Sequence, residues 1–235
     1  MNLILLFEGD FVEADMVRLD QRRFEHITRI LKCGLGDKVK VGRLDGNLGI
    51  GVITEISENE LSMRVKLDKF PAPAAPITLI CALPRPKTLK KVVNAAVSAG
   101  VKDIYFIESW KVDKSYWTSP LVKPDGLREH VLLALEQGCD TVMPNIQFKR
   151  RFKPFVEDEL SGIMEDSLGL TAHPQSDHIC PAHLEAPVTL CIGPEGGFTD
   201  YEVELLEKHG CRPVHLGVRP LRTEFAVAAF IGRLI

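Results

Sequence analysis

Two glycine-bearing loops near the C-terminal end hold the residues of this chain best suited to chemistry. The apolar run Val188–Ile192 breaks into Gly193-Pro194-Glu195-Gly196-Gly197-Phe198, and a later run ends in Leu216-Gly217-Val218-Arg219-Pro220-Leu221-Arg222-Thr223-Glu224. Glycines let backbone approach a ligand with no side chain intervening, and Gly196-Gly197 reaches positive φ at little cost. A lone GPEGG reads equally well as a bare strand-to-helix turn. The second loop favours a site, because it brings Arg219, Arg222 and Glu224 to the edge of the same crevice. The loops lack both G-x-G-x-x-G and G-x-x-x-x-G-K-[ST], so neither a dinucleotide nor ATP has positive support.

Such loops need a sheet to hold them. After residue 76, strand-like and helix-like segments alternate: ITLICAL, a helix over 87–99 closed by Gly100, DIYFIES, a helix over about 125–138 closed by Gly138, then a strand near 145–148. A helix near 153–160, a strand over 168–172, the two glycine-rich exits and a last helix from Thr223 follow. This alternation predicts an α/β domain with a mostly parallel sheet covered by helices on both faces, and ligands bind such sheets beyond the carboxyl ends of their strands. Residues 1–70 read differently, as short strands with turns at Asp45-Gly46 and Glu58-Asn59 and one helix over 20–32 with Asp20 at its N-cap. That pattern predicts a small β-barrel. The proline-rich stretch 71–76 is the connector, leaving 77–235 as the larger domain.

Composition bounds the rest. The chain has 235 residues, 45% apolar and 26% charged, with a formal net charge of -3 and a pI near 6.2. That balance argues against coating nucleic acid by bulk charge and leaves room for a local basic face, since Arg22-Arg23, Arg85–Lys91 and Lys149-Arg150-Arg151 are clumped. No apolar run approaches the roughly 20 residues of a membrane span. The start lacks signal-peptide features, so a cytoplasmic location is expected. Six scattered cysteines predict reduced core residues rather than disulfides, and His173, His178, Cys180 and His183 lack the spacing of a metal site.

The pair GPEGGF and LGVRPLRTEFA, with His173-Pro174 after the preceding strand, resembles the signature of the ribosomal RNA small subunit methyltransferase E family of the SPOUT superfamily. The helix carrying His26, Ile27, Arg29, Ile30, Leu31 and Lys32, followed by GDKVKVG, resembles the family's PUA-like barrel. LPRPKTLKKVV, Asp113–Trp117 and RRFKPF match as well. The resemblance implies a SPOUT-type trefoil-knotted α/β domain over 77–235 with a small N-terminal PUA-like, RNA-binding β-barrel over 1–70. It also implies a homodimer. The knot comes from the resemblance alone, because threaded chains are almost absent among folds at large. Family members usually carry isoleucine at the place of Pro220, a small residue at Phe225 and arginine at Lys32, so cofactor affinity or pocket shape is expected to differ here.

The resemblance further implies methyl transfer from S-adenosyl-L-methionine to N3 of a specific uridine in 16S ribosomal RNA, within the small ribosomal subunit, with no metal, membrane or DNA involved. Cofactor binding then falls to His173, Gly193, Glu195, Gly196, Gly197, Leu216, Gly217, Leu221 and Arg222. Arg222 and Glu224 are the catalytic candidates, the first as a cation beside the base oxygens and the second as a proton acceptor or a helix-start residue; Glu195 is the alternative proton acceptor or a ligand of loop amides. Arg22, Arg23 and Arg29, with Arg85, Lys87, Lys149, Arg150 and Arg151, are candidate phosphate contacts. Trp110, Tyr116 and Trp117 are stacking or interface candidates. The competing readings are a non-catalytic RNA-binding or ribosome-assembly protein and a SPOUT enzyme acting on transfer RNA or a ribose 2'-hydroxyl.

Overall fold

A computed structural model describes residues 2–235, which fold into two compact units. One contains the residues up to Pro73 together with Leu132–Met143; the other contains Ala74–Val131 and Pro144–Ile235. The division comes inside the proline-rich stretch.

In the first unit, β1 (Ile4–Leu6), β2 (Phe11–Glu13), β3 (Met16–Asp20), β4 (Lys38–Arg43), β5 (Leu48–Ile56) and β6 (Glu60–Lys69) form one sheet in the order β1-β4-β5-β6-β3-β2. All pairs are antiparallel except β1 with β4. Alternate residues of these strands, among them Val17, Leu19, Val39, Val41, Leu61, Met63 and Val65, close on one core with Phe24 and Ile27. This is the period-2 pattern that made the segment legible as strands. The expected helix over 20–32 is shorter. It comprises α1 (Gln21–Glu25) and then one wide turn, His26–Ile30, and Asp20 precedes it without a side-chain cap.

The larger unit contains β7 (Ile77–Ala82), α2 (Pro86–Ser98), β8 (Asp103–Ile107), the start of α3 (Arg128–Gly138), β9 (Asn145–Lys149), two short helices α4 (Phe152–Pro154) and α5 (Leu160–Ile163) flanking a wide turn, β10 (Leu168–Ala172), β11 (Val188–Ile192), α6 (Asp200–Lys208), β12 (Arg212–Val214) and α7 (Thr223–Leu234). Its six strands are all parallel, in the order β12-β10-β11-β7-β8-β9. Central strands of such a sheet are buried on both faces, which is why VTLCI is a continuous apolar run rather than an alternating one.

The helices obey local rules. Pro86 sits in the first turn of α2, where a missing N–H costs nothing, and Leu89, Val92, Val93, Ala96 and Val97 form its buried stripe. Gly100 takes the left-handed conformation beyond its end. At α3 the left-handed residue is Cys139, and Gly138, read from sequence as the closing residue, is the last helical one. The segment between β10 and β11 is tied to both later elements. Cys180 N–H donates to His215 O, and His183 and Leu184 donate to Arg233 O and Leu234 O at the end of α7. All six cysteines are free, and burial pushes the Cys81 thiol well above its ordinary range.

Candidate active site

The register of the parallel sheet builds the site. Ala172 pairs with Ile192 and with Val214, so the last residues of β10, β11 and β12 stand abreast. The residues that follow them, His173, Gly193 and His215, therefore leave the sheet side by side. The three exits enclose a cavity of about 400 Å³, lined on its apolar side by Ile192, Val214, Leu216, Ala226 and Phe230.

Glycine is required at several points of this wall. A Cβ on Gly193 would lie 2.8 Å from the Phe198 amide nitrogen, so only glycine lets the loop fold back on itself. Gly197 and Gly217 have φ of +68° and +133°, and a Cβ on either would meet no atom within 4 Å. Their open faces belong to residues of the cavity wall, where backbone can meet a ligand directly. Three further groups hold the loops still. Lys111 Nζ donates to Gly196 O at 2.9 Å and to Phe198 O at 3.5 Å. The Arg85 amide donates to Glu195 Oε1 at 3.1 Å. Gly217 N–H donates to His215 Nδ1 at 3.0 Å, which places the ring proton of neutral His215 on Nε2.

Of the residues chosen from sequence for the cofactor, His173, Gly193, Glu195, Gly196, Gly197, Leu216, Gly217 and Leu221 all line this cavity. Arg222 does not line it. It stands between Leu221 and Thr223, which do, as the exposed residue before α7, and among the described residues its side chain has no hydrogen bond or ion pair. Pro220 is part of the wall; Phe225 is exposed and is not. The departure from the family pattern that bears on the cavity is therefore Pro220.

Glu224 is not positioned as a proton acceptor. Its carboxylate takes a hydrogen bond from Lys91 of α2 at 3.1 Å and is not part of the cavity wall. A bond from its own amide and then the Lys91 charge outweigh burial and hold its carboxyl below the ordinary range. The helix-start reading is the one its geometry fits.

Sequence reasoning missed Lys111 and His215. His215 could have been found, since a third strand exit was due before LGV. Lys111 lies in the aperiodic stretch after β8, where nothing in the spacing signals a loop clamp.

The basic candidates separate. Arg23 is an internal residue: its side chain is 12% exposed, donates to Leu5 O at 3.0 Å, and forks onto Asp10 through two bonds, one of 2.7 Å. It also lies over the Phe7 ring at 4.9 Å. It cannot track a phosphate without leaving Asp10 unpaired. Arg22 is half exposed and bonded to buried Glu136 at 2.9 Å. Arg29 and Lys87 are exposed, the former beside Glu25. Lys149 pairs with Glu159 at 2.6 Å. Arg150 bonds Glu108 at 3.2 Å and covers the Trp117 ring at 5.0 Å. Arg85 and Arg151 are exposed.

A profile of the RNA methyltransferase domain family matches residues 71–235, which includes every residue of the cavity. The chain belongs to this RNA methyltransferase family. The family's PUA domain profile matches residues 19–66, within the first unit. Among curated relatives of this RNA methyltransferase, the ribosomal RNA small subunit methyltransferase E of Treponema pallidum is 29% identical over 97% of this chain and 88% of its own. The ribosomal RNA small subunit methyltransferase E 1 of Borreliella burgdorferi is 26% identical over 97% and 95%. A crystal structure of the ribosomal RNA small subunit methyltransferase E of Neisseria gonorrhoeae bound to S-adenosyl methionine shares the fold, with a TM-score of 0.72 at 18% identity over 97% of this chain and 95% of that one.

Proposed function

We propose that this RNA methyltransferase uses S-adenosylmethionine to methylate N3 of a uridine in small-subunit ribosomal RNA. The observation that carries the reading is the cavity itself: three strand exits abreast and two glycine loops in its wall, with exposed Arg222 standing between the lining residues Leu221 and Thr223. Its donor set suits an adenosyl group. The apolar floor fits a purine, and the loop backbones offer N–H and C=O groups to its edges. Gly193, Glu195, Gly196 and Gly197 would hold the cofactor on one side, with His173, Leu216, Gly217 and Leu221 on the other. When bound, the cofactor supplies a methyl already activated on a sulfonium.

The chain's own task is alignment and charge. The carbon–sulfur bond breaks as the N3–carbon bond forms, and the N3 proton leaves. Negative charge on the uracil then spreads over O2 and O4, where the Arg222 guanidinium would stabilise it. With Glu224 committed to Lys91, the proton passes to Glu195 of the cavity wall, directly or through water. Arg22, Arg29, Arg85, Lys87, Lys149, Arg150 and Arg151 remain the phosphate contacts of this reading, Arg22 and Lys149 from within ion pairs, and Arg23 is withdrawn from it. A homodimer would cover Val218, which is 91% exposed, together with exposed Leu221 and Phe225. Calorimetry with S-adenosylmethionine tests the cofactor: saturable binding is expected, and its loss in Gly196→Val with the fold retained. No binding at millimolar cofactor would favour the non-catalytic RNA-binding reading.

A further inference from the structure

The larger unit carries a second cavity, of about 620 Å³, that the methyl-transfer reaction does not use. Its wall alternates with that of the first. Along the stretch after β8, Glu108, Ser109, Trp110 and Val112 face the second cavity and Lys111 the first; at the start of α6, Thr199, Tyr201 and Glu202 face the second and Phe198 and Asp200 the first. The two cavities thus share a wall.

We propose that this second cavity is a nucleobase subsite, taking a nucleotide of single-stranded RNA that neighbours the one being methylated. The inference rests on the assignment of the first cavity to the cofactor, because the reacting base must reach that methyl and a base in the second cavity lies across the wall from it.

The exposed rings define the ligand. Trp110 is 85% exposed and Tyr201 more than half exposed, an unusual placement for two large rings on one cavity, and flat aromatic faces are what unstacked bases pack on.

The charges say which end of the nucleotide enters. The α6 N-terminus is closed to phosphate, because Glu202 already accepts from the Thr199 amide at 2.8 Å, the Thr199 hydroxyl at 3.0 Å and the Trp110 amide at 2.7 Å. Glu108 is likewise spent on Arg150 and the Arg151 amide. Burial pushes its carboxyl up, but the Arg151 amide and the Arg150 guanidinium outweigh that and hold it below the usual range. The cations Lys114, Arg151 and Lys153 are exposed on this wall, and among the described residues the Arg151 guanidinium has no partner. The base therefore sits inside and its phosphates outside, against Arg151.

The test uses the full chain and two fluorescein-labelled probes, hexauridylate and hexaadenylate, followed by anisotropy. Both should bind, because stacking tolerates any base. Trp110→Ala should weaken binding about ten-fold, the range for one lost base–aromatic stack. Trp110→Phe should retain most of it, and Arg151→Ala should lower the salt slope by about one. Calorimetric cofactor affinity should be unchanged in all three. Hexamer binding that is absent in the parent protein, or the same in Trp110→Ala and Arg151→Ala as in the parent, would overturn the proposal. Hexamer binding that depends on Trp110 in a protein with no cofactor affinity would instead overturn the reading of the first cavity.

Discussion

Lys91 of α2 and Glu224 of α7 are joined by a 3.1 Å ion pair that fastens the start of the last helix to the helix after the first strand of the parallel sheet. The bond takes the one carboxylate of the LGVRPLRTE loop away from the cavity and gives it a structural task. The side chain of Arg222, two residues earlier, has no hydrogen bond or ion pair among the described residues.

Glu224→Gln should therefore leave turnover within about two-fold and cost on the order of 1 kcal/mol of stability at pH 7. Because the folded pKa of Glu224 is depressed, its contribution is fully present above the unfolded value of about 4.3 and is lost as pH falls through the folded one. Denaturation of both proteins at pH 7 and below pH 4 checks this: the difference should shrink in acid. A hundred-fold loss of turnover at unchanged cofactor affinity would return Glu224 to a catalytic role.

Arg222→Ala should do the opposite. It should lower turnover by about 10²-fold, the size of effect seen on removing one charge-stabilising donor, while cofactor affinity stays within a few-fold. Single-turnover kinetics with saturating cofactor separate the two.

Lys111→Met removes the cation that bonds Gly196 O and Phe198 O but keeps most of the side chain's bulk. The glycine loop loses its clamp, so cofactor Kd should rise by about ten-fold, equivalent to one charge-assisted hydrogen bond of about 1.5 kcal/mol. Calorimetry reads this directly. A larger fall in overall stability than in affinity would mean that Lys111 supports the fold rather than the loop.

Gly217→Val forces a β-branched residue to φ near +133° at a residue that lines the cavity. Cofactor binding should be lost, with about 1–3 kcal/mol of backbone strain appearing in the melting curve. An unaltered Kd would remove Gly217 from the site.

Arg23→Ala should unfold the first unit more readily by about 3–5 kcal/mol, because it leaves the Asp10 carboxylate nearly buried and unpaired. Arg29→Ala, on an exposed side chain, should be within about 0.5 kcal/mol of the parent. Urea denaturation distinguishes them.

What the sequence disclosed follows from period and composition. The parallel sheet was legible because VTLCI and ITLICA are buried on both faces, and the cavity because its walls are glycines at strand exits. Side-chain pairing was not legible. Arg23 and Arg29 look alike in the chain, and only the fold puts Asp10 beside the first. Glu224 looks poised for chemistry until α2 brings Lys91 to it from 133 residues away. The broken helix over 152–163 was read as one because its apolar spacing hides the wide turn Phe155–Glu159.

Methyl transfer to uridine N3 is tested by incubating the protein with labelled S-adenosylmethionine and unmodified small ribosomal subunits, then mapping the labelled nucleoside. The expected product is 3-methyluridine at one position of the ribosomal RNA; 2'-O-methyl nucleosides, or label found only in transfer RNA, would overturn the proposed activity.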